Sequence, residues 1–306
     1  MNNARVRLTA VLLLLGCGWG LTQPLTKITV TAGYQPLGII FWQMLIGAVV
    51  LGVFQWRKLR RLPVTRVTLA VWLLIAVIGT LIPNTTSYRA AFFLPSGIMS
   101  IVIATVPMMA FPIALLLRND RFSWRRFFGL CLGLVGVGLI ALPEASLPER
   151  AMIAFVPLAL VAPFCYAWEG NIVAKWGTGG LDPIAVLFGA SVIGTILALP
   201  LAIGSGQFFV PRAPFIGADF AMVLSAVIHA FVYAGYVWLI GRSGAVFAGQ
   251  VAYIVTGSGV LWAMLLLGET YSLWVWAALA AMVLGLSLVQ PRLADVAPKV
   301  ENGIHG

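Results

Sequence analysis

Apolar residues gather into ten stretches, at about 8–29, 36–56, 67–88, 95–117, 127–142, 151–174, 183–203, 218–240, 244–267 and 271–290. A helix needs roughly 20 predominantly apolar residues to cross a bilayer. The pattern therefore predicts an all-α, polytopic membrane protein of ten transmembrane helices. Within several stretches the polar residues recur at helical spacing. The first carries Trp19, Thr22, Gln23 and Thr26, the third Thr80, Asn84, Ser87 and Tyr88, and the fourth Ser96, Ser100, Pro107 and Phe111. The sixth carries Phe164, Trp168, Asn171 and Lys175, the eighth Ser225, His229, Tyr233 and Tyr236, and the ninth Ser243, Gln250, Tyr253 and Gly257. A polar stripe on a membrane helix must face protein or water, so these six stretches are expected to line a cavity. The other four are expected to be scaffold. The second is plainly apolar apart from Gln43, and the fifth and tenth carry small residues, Gly129, Gly133 and Gly136 against Ala277, Ala281 and Gly285, at a spacing that lets helices approach closely.

The stripes repeat because the chain repeats. Gly16 to Lys27, GCGWGLTQPLTK, returns as FCYAWEGNIVAK from Phe164 to Lys175, with Cys17 over Cys165, Gln23 over Asn171 and Lys27 over Lys175. Farther on, Ser96-Gly97 lies over Ser243-Gly244, Asp120-Arg121-Phe122 over Glu269-Thr270-Tyr271, and Gly136 over Gly285. An ordered series of matches signals two homologous halves, here 1–149 and 150–290, followed by a tail, 291–306, expected to be disordered and cytoplasmic. Five crossings per half make the repeat inverted.

Composition agrees with a membrane solvent: hydrophobic residues make up 61% of the chain and charged residues 9%, where soluble domains carry about a quarter charged. The net charge of +10 reads as topology rather than nucleic-acid binding. With the N-terminus inside, all of the 19 lysines and arginines except Lys27, Arg89, Arg150 and Arg212 fall on the cytoplasmic side, as the positive-inside rule requires. Both termini are expected in the cytoplasm and the chain in a bacterial inner membrane. Arg5 and Arg7 before LTAVLLLLGC mimic a secretory or lipoprotein signal; the repeat makes this segment a retained span. Cys17, Cys131 and Cys165 all lie in spans without C-x-x-C spacing, which argues against a disulfide or a zinc site.

Candidate chemistry is sparse. Glu169 is the one acidic residue deep within a span, where charge is costly enough to suggest function; a protonated or paired structural carboxylate is an equal reading. His229 reads as a hydrogen-bonded structural histidine or a proton relay. Lys27 and Lys175 read as snorkelling anchors or substrate contacts. No H-E-x-x-H, paired carboxylates, serine triad or Walker sequence is present, so no enzyme, ATP-driven pump, cofactor or metal is expected. Glu169 and His229 are the candidate proton-coupling groups.

With W-G-x-x-x-x-x-x-K in the first span as Trp19, Gly20 and Lys27, and FCYAWEGNIVAKW in the sixth, the chain resembles the EamA-type branch of the drug/metabolite transporter superfamily. Within that branch it looks most like the YddG group of aromatic amino-acid exporters. The resemblance covers 8 to 290 and implies a basket of ten helices, a central cavity built by helices 1, 3, 4, 6, 8 and 9, and alternating access by rocking. Ala167-Trp168 stands where Trp19-Gly20 would repeat, so symmetric substrate contacts are not implied. The expected substrate is a small, partly apolar zwitterion. The amides of Gln23, Asn84, Asn171 and Gln250 would take its polar end, and Trp19, Tyr88, Trp168, Tyr233 and Tyr253, with His229, its side chain. Export of cationic drugs, or a passive channel or scaffold, is the alternative. The expected partners are a small molecule and the lipid bilayer, not nucleic acid, with the monomer as the working unit.

Overall fold

The structure is a computed structural model that describes residues 3–57, 62–142, 146–211, 213–243 and 245–289. Each of the ten apolar stretches is helical. The first two are the continuous helices α1 (Asn3–Thr31) and α2 (Pro36–Gln55). The third is α3 (Arg66–Ala76) and α4 (Ile82–Phe93), joined by a π-turn over Val77–Leu81. The fourth is α5 (Ser96–Ile103) and α6 (Val106–Leu116), and the fifth is α7 (Trp124–Ala141). In the second half a 3-10 turn, Arg150–Phe155, leads into α8 (Val156–Trp176), followed by α9 (Pro183–Gly204) and α10 (Gly217–Ser243). The ninth stretch is α11 (Ala245–Ala248) and α12 (Val251–Leu267), and the tenth is α13 (Leu273–Val289). Eight of these segments are long and apolar enough to cross a membrane, whereas Val251–Leu267 and Leu273–Val289 are shorter apolar helices. The tail 291–306 lies outside the described residues.

Three of the ten stretches are interrupted, two of them for a reason proline supplies. Proline has no N–H, and its ring collides with the carbonyl four residues back. Pro107 thus ends α5 at Ile103, and the Thr105 hydroxyl bonds the Val102 carbonyl at 2.7 Å in the gap. Pro83 would collide with the Gly79 carbonyl, and there the chain widens into the π-turn, where Ile82 N–H reaches back to Val77 O. The third break, at Gly249–Gln250, carries no proline.

Packing follows the repeat. α1 lies on α12 and α10 as α8 lies on α6 and α4; α2 meets α10 as α9 meets α3; and α2–α9, α5–α12 and α7–α13 pair across the centre. Exchanging the halves leaves this set of pairs unchanged. Small residues permit the closest contacts. A methyl on Gly20 would come within 2.8 Å of Gly259 N, and one on Gly129 within 2.8 Å of Gly285 O. The fifth and tenth stretches, expected to be scaffold, are packed on each other. Large apolar side chains face outward, Leu265 at 74% and Leu273 at 82% exposed, a surface that suits lipid and not water.

Candidate functional site

The site is built outward from Gln43, the amide in the middle of α2. Its Oε1 accepts hydrogen bonds from the Tyr88 hydroxyl and, at 3.3 Å, from Asn84 Nδ2. Asn84 Oδ1 in turn accepts from the Tyr166 hydroxyl at 3.0 Å. One uncharged chain of donors and acceptors therefore joins α2, α4 and α8. Such groups are expensive in a bilayer unless paired, and here most pair with one another. Among the described residues the Gln43 amide nitrogen has no acceptor, and Gln43 lines two cavities. The larger, about 50 Å³, is bounded by Gln43, Thr80, Ser191, His229 and Tyr233 among apolar neighbours. The smaller, about 10 Å³, lies between Thr26, Thr29, Gln43, Tyr88 and Ser225. Both are water-sized; pockets that enclose small-molecule ligands run from roughly 300 Å³ upward.

Beside the larger cavity stands an aromatic group. His229 and Tyr233, four residues apart, share a face of α10, and Trp19 of α1 meets their rings edge-on at 5.7 and 6.3 Å, and Tyr236 at 6.0 Å. Glu169 approaches from α8. Its carboxyl group lies over Gly79 in the π-turn, where a methyl group would come within 2.6 Å of Oε2, and Cys165, Tyr166 and Tyr233 are among its titratable neighbours.

Of the residues expected to contact substrate, Tyr88, His229 and Tyr233 line these cavities. Asn84 and Trp19 stand one layer behind them. Gln23 is half-buried between Trp19 and Thr26 and lines neither. The structure puts Asn171 to a different use: its Nδ2 donates to the Ala110 and Ala167 carbonyls at 3.0 and 2.9 Å, and its own carbonyl groups accept from Asn119. It is a strut between α8 and α6. Gln250 is exposed at the α11–α12 break, Tyr253 packs on the main apolar core, and Trp168 meets Phe164 edge-on at 6.4 Å. Lys27 donates to the Phe92 and Leu94 carbonyls at 2.8 and 3.0 Å, and Lys175 to the Leu117 carbonyl at 2.8 Å. Both ammonium groups cap helix C-termini, the end of the dipole that favours a cation.

The division into lining and scaffold helices needs correction. α2 brings Gln43 and α9 brings Ser191 to the larger cavity, because these two helices pack across the centre and each must turn a stripe inward. Gln43 and Tyr166 were missing from the expected set. Gln43 did carry a signal, as a strongly polar group in the middle of an apolar run; Tyr166, off the polar stripe of its helix, carried none.

Two like halves of helices, apolar outside and packed around a part-buried uncharged polar layer, define a polytopic membrane protein organised about its centre. The chain belongs to the EamA-like transporter family, whose pattern matches twice, over residues 8–142 and 154–290. This is a family of membrane transporters in the drug/metabolite transporter superfamily. A search of curated proteins returns no match. Among solved structures, a crystal structure described only as that of a protein aligns with a TM-score of 0.59 at 19% identity, covering 92% of this chain and 97% of the other. That similarity establishes a shared fold.

Proposed function

We propose that the chain is a secondary transporter that exports small amphiphilic metabolites, aromatic and other neutral amino acids foremost, across a bacterial inner membrane. In this reading ten helices cross in two inverted repeats, both termini are cytoplasmic, the monomer suffices, and access alternates about the layer holding Gln43. The observation that carries the reading is the pairing of that layer with aromatic edges. Gln43 presents an amide N–H without an acceptor among the described residues, beside Tyr88 and the cavity that Tyr233 lines, with Trp19 behind Tyr233. An uncharged polar wall next to aromatic surface suits a ligand that carries both of its own charges and an apolar side chain. Cavities of this size hold water, so the substrate would enter only after the helices part.

The test is uptake of labelled phenylalanine, tryptophan and alanine into liposomes holding the purified protein. The expected result is saturable uptake, strongest for the aromatic pair, above that of empty liposomes. Uptake of a lipophilic cation with no uptake of any amino acid would overturn the reading. It would favour the second one, export of organic cations, which a single observation supports: Glu169 lies among aromatic side chains without a cationic partner among the described residues.

A further inference from the structure

Within that transporter reading, the contact between Glu169 and the π-turn calls for a ligand of its own. The carboxyl group lies flat on Gly79: a methyl there would meet Oε2, Cδ and Oε1 at 2.6, 2.7 and 2.8 Å. Only glycine leaves room for it, and the widened turn supplies the place. Pro83 has no N–H to return to this turn, while Ile82 N–H is committed to the Val77 carbonyl. Proline thus leaves a carbonyl of this turn without its usual helical donor. Among the described residues Glu169 receives no hydrogen bond and forms no ion pair. The titratable groups around it are Cys165 and Tyr166 on its own helix, Tyr88 on α4 beside Tyr166, and on α10 Tyr233 and, one turn before it on the larger cavity, His229; α5, α6 and the π-turn bring none. Among the described residues His229 forms no ion pair with Glu169, and the cysteine and tyrosines are not cations at neutral pH. An isolated carboxylate in mid-membrane is far too costly to stand alone, so a proton or another cation must join it. Thr80, next to Gly79, and Tyr233 both line the larger cavity.

We propose that Glu169 and the π-turn Val77–Leu81 form a monovalent-cation site, in which the carboxyl group takes up either a proton or the ammonium group of a transported substrate. As an acid, the carboxyl donates to a turn carbonyl. As a carboxylate, it shares an ammonium N–H₃⁺ with those same carbonyls, the joint use of carboxylate and unwound backbone by which broken transporter helices hold cations.

The experiment uses the full chain in lipid and two variants, Glu169→Gln, which keeps shape and hydrogen bonding, and Gly79→Ala, which pushes the carboxyl out of its place. Infrared difference spectra are recorded on lowering pH and on adding 2-phenylethylamine, and phenylalanine counterflow is measured with and without an imposed pH gradient. For a proton site, a carboxyl band forms on acidification of the wild type and is absent from Glu169→Gln. That variant then loses acceleration by the gradient. For an ammonium site, 2-phenylethylamine perturbs a carboxylate band in the wild type alone, and counterflow falls by about tenfold or more in both variants, the cost of one charge-assisted hydrogen bond. Spectra without a Glu169-dependent band under either addition overturn the site. If the bands appear and no amino acid is transported, the cation site stands and the amino-acid reading falls.

Discussion

Lys27 and Lys175 close the same sequence element in the two halves, yet they are held differently. Lys27 bonds two carbonyls at the end of α4, while across the short link Glu269, from the other half, accepts from the Ser96 and Gly97 amides at the start of α5 at 2.8 and 3.2 Å. The Tyr271 hydroxyl donates to the same carboxylate. A cation on a helix C-terminus and an anion on the next N-terminus each complement a dipole, so the α4–α5 link is fastened from both sides and across both halves. At the opposite end Asp120, the repeat partner of Glu269, accepts from its neighbour Arg121 N–H at 2.7 Å and pairs with Arg126. Lys175 there bonds a single carbonyl and stacks its charge 5.1 Å from Trp176. The comparison teaches that one repeated element supports two arrangements, a tie between halves and a local one. A transporter built of inverted repeats would exchange these arrangements as it opens to one side and then the other.

The largest effect is expected from breaking the tie between halves. Glu269→Ala should destabilise the protein by about 1–2 kcal/mol, the usual cost of a lost N-cap, read from thermal melting in detergent. It should also raise the labelling rate of a cysteine placed at Thr26, in the smaller cavity, by an impermeant maleimide. Unchanged labelling with an unchanged melting temperature would remove the tie from the account. The lysines come next: Lys27→Met should cost about 1 kcal/mol and Lys175→Met a few tenths, roughly the range for a cation on a helix terminus, and equal losses would contradict the asymmetry. Asp120→Asn, at an exposed pair, should shift stability by about 0.5 kcal/mol or less.

The smallest effect concerns Tyr34, which donates to Asp219 at 2.6 Å beside the same end. That hydrogen bond pushes its hydroxyl up to about 12 from 10.0. Because the folded value lies above the unfolded one, the stability it contributes is complete below pH 10 and is lost as pH rises through about 12. The difference in melting temperature between the wild type and Tyr34→Phe should shrink over that window; a constant difference would contradict the linkage.

Much of this architecture was legible because membrane burial writes strong patterns. The ten apolar stretches, the paired halves and the small-residue faces of α7 and α13 all follow from composition at helical spacing. The stripe holding His229 and Tyr233 was legible for the same reason, and Trp19 packs on it. The interruptions were less so. Pro83 acts several residues toward the N-terminus, in a π-turn that its own position does not mark, and the Gly249–Gln250 break has no proline to announce it. Asn171 and Gln43 show the deeper limit. Periodicity says that a polar group avoids lipid, but not whether it faces a cavity or a helix seam. The amide on a full polar stripe became a strut, and the solitary one became the centre.

The most direct test of that centre is saturable phenylalanine counterflow in proteoliposomes, compared between the wild type and Gln43→Leu with both variants shown to melt cooperatively in the same detergent. The account predicts saturable exchange by the wild type and a rate about tenfold lower once the Gln43 amide is gone, the loss of roughly one substrate hydrogen bond. Equal exchange by the two proteins, or none above empty liposomes, would contradict it.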